Sequence, residues 1–147
     1  MAGAGDRETP KIVGIYKHSR NENLDEYFKA VGVPYLPRKM MLMSSPTLEI
    51  SYSSNDKKWT IKTCTLIRTV ELNFTEGEEY EEHMPSGVTL KNVTTLEDGK
   101  LVTKSVGPND TNVTRTYECT ENECILTMEH EKSAVVGKRF FTRTINN

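Results

Sequence analysis

Polar and apolar positions along the chain fall into two textures. Over 21–33, "NENLDEYFKAVGV", the residues Leu24, Tyr27, Phe28 and Val31 recur at helical spacing and give one apolar face. Asn23 stands where an N-cap belongs, Asp25 and Glu26 lie in the first turn, and Gly32 is a stop signal. "PYLPRKMMLMSSP" (34–46) predicts a second short helix, with Pro37 in its first turn and Pro46 closing it. Ahead of both, "KIVGIYKHS" (11–19) has strand composition. From Thr47 onward short Thr- and Val-rich runs are punctuated by turn residues. "TLEISYSS" and "KWTIKTCT" flank "ND" (55–56), and "IRTVELNF" and "EEYEEHM" flank "TEG" (75–77). "VTLKNVTTL" and "KLVTKSV" flank "EDG" (97–99), "TNVTRTYEC" and "CILTMEHE" flank "TENE" (120–123), and "AVVGKRFFTR" (134–143) is the last run.

Strands at about ten-residue spacing, joined by short turns, read as an up-and-down antiparallel sheet. A sheet this long must close or stack to remove its edges. Many strands are polar on both faces, and "VTLKNVTTL" puts Thr or Asn where a packed core would want Leu. That suits a barrel with a partly wet interior. A helix pair inserted after the first strand could cover one mouth of such a barrel.

Composition sharpens this picture. The length, 147 residues, fits one domain. Residues 1–11 read as a flexible N-terminal tail and 12–147 as the β-barrel domain. Hydrophobic content of 35% and a mean hydropathy of −0.58 are low for a compact globule and fit a thin wall or a solvent-containing interior. The net charge of −2 gives no basic footprint, so no nucleic-acid partner is expected. No stretch approaches the roughly 20 apolar residues of a membrane helix, and "MAGAGDRETPK" lacks the apolar core of a signal peptide. A cytoplasmic location is the expectation. The odd count of cysteines (Cys64, Cys119 and Cys124) then argues for reduced thiols. Sequons at Asn73, Asn92, Asn109 and Asn112 would matter only in a secreted chain and read as Thr-rich strand composition.

Catalytic chemistry finds little purchase. His18, His83 and His130 are scattered, and no HExxH, GxSxG, P-loop or CxxC pattern occurs. No metal site and no cofactor are expected. "EGEEYEEH" (76–83) has no calcium-loop pattern. The informative residue is Arg139, in the middle of an otherwise apolar strand. By alternation it shares a face with Phe141, while Phe140 takes the other. Either Arg139 faces inward and must be neutralised there, or it is solvated and Phe140 is inside.

The order of elements resembles that of the intracellular lipid-binding proteins, which include the fatty-acid-binding and cellular retinoid-binding proteins. Five segments carry the resemblance, in order: 14–33, 34–46, "IKTCTLIRTVELNFTEGEEYEE" (61–82), "ILTM" (125–128) and "VVGKRFF" (135–141). The stretch 61–82 looks like the retinoic-acid-binding branch. The resemblance implies a mainly β fold: a ten-stranded antiparallel up-and-down closed barrel with a two-helix lid after the first strand. It implies a carboxylate clamp of an arginine on the eighth strand, here Arg115 in "NVTRTYE", and a second arginine, here Arg139. The family's tyrosine two residues beyond is Phe141 here, so a phenol donor is missing.

The ligand this implies is a long-chain fatty acid, with retinoic acid as the alternative, bound non-covalently by a monomer. Tail burial is favourable by roughly 25 cal/mol per Å², whereas a lone buried carboxylate is costly and needs charge-assisted partners. Two interior arginines would repel each other when the barrel is empty, so water or an acidic partner must compensate. Tyr117 shares a face with Arg115 and could supply a hydroxyl. Phe141 and Phe28 are candidate wall or mouth residues, and Met40, Met41 and Met43 are candidate contacts for an alkyl tail. Lys17, Arg20, Lys29, Arg38 and Lys39 surround the helices, and a basic lid would favour transient contact with anionic membranes. A scaffold role through the barrel exterior is the other reading, favoured if Phe140 lies outward as an apolar patch.

Overall fold

The computed structural model describes residues 9–84, 87–109 and 111–144. A first strand, β1 (Gly14–Glu22), leads into α1 (Leu24–Ala30) and α2 (Tyr35–Met43). Nine strands follow: β2 (Thr47–Ser53), β3 (Lys58–Cys64), β4 (Thr69–Thr75), β5 (Tyr80–His83), β6 (Thr89–Glu97), β7 (Lys100–Val106), β8 (Val113–Cys119), β9 (Glu123–His130) and β10 (Val136–Arg143). All ten form one antiparallel sheet in the order β4-β3-β2-β1-β10-β9-β8-β7-β6-β5. Consecutive strands pair except β4 and β5, and β1 pairs with β10.

Closure is all but complete. β4 and β5 end the strand order without pairing to each other. Side chains and turns bridge that seam instead. Phe74 stacks on Tyr80 with ring centroids 4.9 Å apart. Gly77 N donates to Thr94 O at 2.8 Å, and Leu96 N donates to Glu76 Oε2 at 2.9 Å. The ring stack crosses the seam, and the two hydrogen bonds tie the β4–β5 turn to β6.

The strand-to-helix passage differs from the sequence expectation in one respect. β1 continues to Glu22, into residues whose composition suggested the helix. Its register with β10 shifts between His18 and Arg20, a bulge that moves Arg20 to the outer face opposite Phe140 and Asn21 opposite Arg139. Asn23 then turns the chain with a left-handed backbone (φ 52), which asparagine tolerates. Its side chain does not cap α1; Nδ2 donates to Val136 O on β10 at 2.8 Å. Gly137 lies directly under this corner. A Cβ there would meet Tyr27 Cβ at 2.7 Å and Asn23 O at 3.2 Å, so glycine lets α1 sit close on β10.

The cysteine expectation requires correction. Cys119 and Cys124 are joined in a disulfide across the β8–β9 hairpin. They are direct cross-strand partners, so the short turn alone brings the sulfurs together. Cys64 is the free thiol. Of the tail read at 1–11, residues 1–8 lie outside the described residues; from Ile12 the chain is part of the core.

Apolar packing splits into two clusters. One fills the end away from the helices: Ile12, Tyr16, Leu48, Ile50, Trp59, Ile61, Phe74, Leu101, Tyr117, Cys124 and Phe141. The other joins α1 to the opposite mouth through Leu24, Tyr27, Phe28, Val113 and Met128, with Met41 and Leu42 of α2 packed against it. A compact domain usually has one contiguous core. Here a polar layer lies between the two, and Leu126 of β9 packs against both.

Candidate functional site

Strand alternation sets the polar layer. Tyr80 and Glu82 on β5, Asn92 and Thr94 on β6, Thr103 and Ser105 on β7, and Arg115 on β8 share hydrogen bonds across the inner face. Along β8, Arg115 is flanked by Val113 of the lid-end cluster and Tyr117 of the far one. Along β10, Arg139 stands between Gly137, beneath α1, and Phe141 of the far cluster. Both arginines therefore belong to the layer that the two cores leave between them.

Both terminal nitrogens of Arg115 are engaged by its neighbours. Its Nη2 donates to Glu82 Oε1 at 2.7 Å, to Ser105 Oγ at 2.9 Å and to Asn92 Oδ1 at 3.3 Å, while Nη1 donates to Glu82 Oε2 at 3.3 Å. Asn92 Nδ2 donates to Glu82 Oε1 at 2.9 Å and holds that carboxylate in place. The Arg115 and Glu82 side chains are only 14% and 9% exposed. Burial by itself would raise the Glu82 carboxyl, but the Arg115 charge and the hydrogen bonds to it outweigh burial, and the group is held below its usual value. Arg115 moves oppositely: burial acts to lower it, and Glu82 carries it above its usual value. The pair is ionised and internally neutral.

Arg139 has a different environment. Among the described residues no carboxylate lies within ion-pair distance of it. Burial pushes its guanidinium down to about 10. Its Nη2 donates to Ser44 O at 3.0 Å, Ser44 Oγ at 3.4 Å and Met41 O at 3.5 Å, all at the C-terminal end of α2. Its Nε is buried without a partner, as is that of Arg115. The two arginines do not converge on one point. Arg115 reaches across β7 and β6 to β5, whereas Arg139 reaches toward the lid. Glu82 captures the first and the carbonyls ending α2 attract the second.

The remaining candidates separate by position. Tyr117 and Phe141 are buried in the far cluster, and burial pushes the Tyr117 phenol up to about 12 against the lowering effect of Arg115. Phe28 is buried in the lid-end cluster. Met40 is turned to solvent, 54% exposed, while its neighbour Met41 packs inward. Phe140 faces outward but is covered: the Arg20 guanidinium lies 3.6 Å from its ring centroid, leaving no bare aromatic patch. Among the basic residues around the helices, Lys29 and Arg38 are in ion pairs with Asp25, and Arg20 with Glu22.

Three contributors escaped the sequence reading. Glu82 sits in an acidic run that reads as solvated surface, although its parity with Tyr80 places it on the inner face. Asn92 was legible only as a polar interruption of a strand. His18 lies opposite Phe141 in the β1–β10 ladder, with the rings edge-on at 5.7 Å and Nε2 2.7 Å from Asn21 Oδ1. Burial, and after it the Arg139 charge, lower its pKa. Two shallow clefts of about 340 and 400 Å³ open near Tyr52, Trp59 and Glu76; neither includes Arg115 or Arg139.

Fold and interior together define a helix-capped, up-and-down β-barrel with a polar, cationic layer inside. No protein-family profile matches the chain. It is 34% identical over 137 residues to "Fatty acid-binding protein homolog 5" of Caenorhabditis elegans, covering 90% of this chain and 96% of the relative. It is 37% identical over 143 residues to "Cellular retinoic acid-binding protein 2" of Rattus norvegicus, covering 91% and 99%. The crystal structure of a fatty acid-binding protein from Drosophila melanogaster brain superposes with a TM-score of 0.80 at 32% identity, covering 90% of this chain and 99% of that one. The chain belongs to the family of fatty-acid-binding and cellular retinoic-acid-binding proteins.

Proposed function

We propose that this barrel binds a long-chain fatty acid non-covalently and carries it; relatives named as fatty acid-binding proteins support the binding. The observation that carries this reading is the divided interior. Two apolar clusters leave between them a polar layer containing Arg139, a buried cation with no carboxylate in ion-pair distance among the described residues. An amphiphile with one acidic head and an apolar tail matches both parts. Its carboxylate relieves the uncompensated charge, and its chain covers apolar wall.

The roles within the clamp are unequal. Arg139 is the primary receptor for the carboxylate. Arg115, neutralised by Glu82, polarises the site and offers its orphan Nε. Phe141, Tyr117 and Phe28 line the path of the chain. Retinoic acid is the second reading, and the 37% identity to a cellular retinoic acid-binding protein favours it. Neither ligand is altered chemically: the role is solubilisation and delivery by a cytoplasmic monomer. Tyr35, Leu36, Met40 and Met43 of α2 and Leu66 and Ile67 of the β3–β4 turn are exposed apolar groups at the lid end, and Lys39 stands among them. This rim suits transient membrane contact during transfer.

The test replaces Arg115 and Arg139 together with methionine and titrates oleate and retinoate against the protein. Binding of both acids falls at least tenfold if the clamp works as described. Undiminished binding rejects the assigned residues. Mass spectrometry of lipid extracted from the purified protein identifies which acid it takes.

A further inference from the structure

We propose that Arg139 latches α2 to the barrel in the empty protein and that the acidic head of the ligand releases it. This rests on the reading that an acid binds at Arg139. α2 has no buried residue of its own. It is held by three kinds of tie. Arg38 Nε donates to Asp25 Oδ1 at 2.7 Å and Nη1 to Val33 O at 3.1 Å, which fix it to α1 and the loop before it. Met41 and Leu42 pack on the lid-end cluster. The hydrogen-bonded tie to the barrel wall, among the described residues, is Arg139, whose Nη2 serves Met41 O, Ser44 O and Ser44 Oγ. Met41 O also accepts from Ser44 Oγ at 2.8 Å and Ser44 N at 3.3 Å, so the shortest of the Arg139 contacts, to Ser44 O at 3.0 Å, is the principal hold on the end of α2.

The competition lies in the donor geometry. All three lid contacts run through one nitrogen, Nη2, while Nε on the adjoining edge is buried with no partner. A carboxylate binds arginine best as a fork, with two parallel N–H donors. Taking the Nε–Nη2 edge satisfies the orphan Nε, claims one of the two Nη2 protons and neutralises the charge that attracts the carbonyls. The hold on Ser44 and Met41 weakens as the head group docks. A neutral lipid with the same tail has no means of doing this. The state of α2, and with it the exposed rim of Tyr35, Leu36 and Met43, therefore reports the chemistry of the head group rather than mere occupancy.

Hydrogen exchange of the α2 amides, followed by mass spectrometry on the full chain, decides this. Four samples are compared: empty protein, protein with oleate, protein with oleyl alcohol, and empty R139Q. Native mass spectrometry of the same samples gives lipid occupancy. At equal occupancy, α2 exchanges several-fold faster with oleate than with oleyl alcohol, and empty R139Q exchanges at least several-fold faster than the empty wild type. Equal exchange with the two lipids overturns release by the head group, and this comparison needs no variant to fold. Unchanged α2 exchange in empty, folded R139Q overturns the latch. Absence of oleate occupancy removes the acid-binding reading and the release step with it, while the empty R139Q comparison still decides the latch alone.

Discussion

The buried pair of Arg115 and Glu82 makes a two-sided prediction for Glu82→Gln. The substitution keeps shape and an acceptor oxygen but removes the charge that neutralises a guanidinium only 14% exposed. Breaking one side of such a pair costs about 3–5 kcal/mol, and the retained amide puts this variant near the lower figure. At roughly 2–4 °C per kcal/mol for a chain of this size, the melting temperature of the empty protein falls by roughly 6–12 °C. The same change frees Arg115. The interior then holds two uncompensated cations instead of one, and a carboxylate gains another charge-assisted hydrogen bond. At about 1.5–3 kcal/mol for such a bond and 1.4 kcal/mol per decade, oleate binds roughly 10- to 100-fold more tightly. Thermal unfolding with and without oleate measures the first effect, and displacement of a fluorescent fatty acid measures the second. The pH dependence adds a sign. Glu82 is held below its usual value of 4.5, so its stabilisation is present above that pH and is lost as pH falls through the folded-state value. Glu82→Gln flattens the acid limb. A variant that melts like the wild type and binds oleate no better refutes the pairing and the charge accounting together.

Other substitutions probe separate parts of the barrel. Gly137→Ala forces a methyl group against Tyr27 Cβ and Asn23 O; it costs about 1–3 kcal/mol in chemical denaturation and speeds amide exchange in α1. Phe141→Tyr adds a phenol two residues from Arg139 on the same face; oleate affinity rises several-fold in fluorescence displacement, and oleyl alcohol gains less. Arg20→Ala uncovers the Phe140 ring; light scattering detects self-association, stability falls by about 0.5–1 kcal/mol, and oleate affinity is unchanged.

Turn chemistry made the barrel legible. "ND" and "EDG" mark the β2–β3 and β6–β7 hairpins, and Lys57, Asp98 and Gly99 have the positive φ that such turns use. The β1–α1 corner was not legible, because a bulge and the side-chain bond from Asn23 to Val136 depend on a strand more than a hundred residues away. Nor could alternation alone orient Arg139. Its outward neighbour Phe140 is also buried, beneath Arg20, so neither face of β10 is bare. An acidic partner for an interior arginine was foreseeable on charge grounds. Its identity as Glu82 was not, because "EEYEEHM" offers four glutamates and only the β5–β6 register selects one. The disulfide was obscured by the odd number of cysteines, which says nothing of the opposition of Cys119 and Cys124.

The proposed docking of an acid head group on Arg139 inside the barrel is open to a direct test. Carbon NMR of the protein with carboxyl-labelled oleate tests it most directly. Docking on Arg139 gives a bound carboxyl resonance, distinct from free oleate, that remains ionised at pH values where free oleate is protonated and that is lost in R139Q. A bound resonance that titrates like the free acid and persists in R139Q contradicts it.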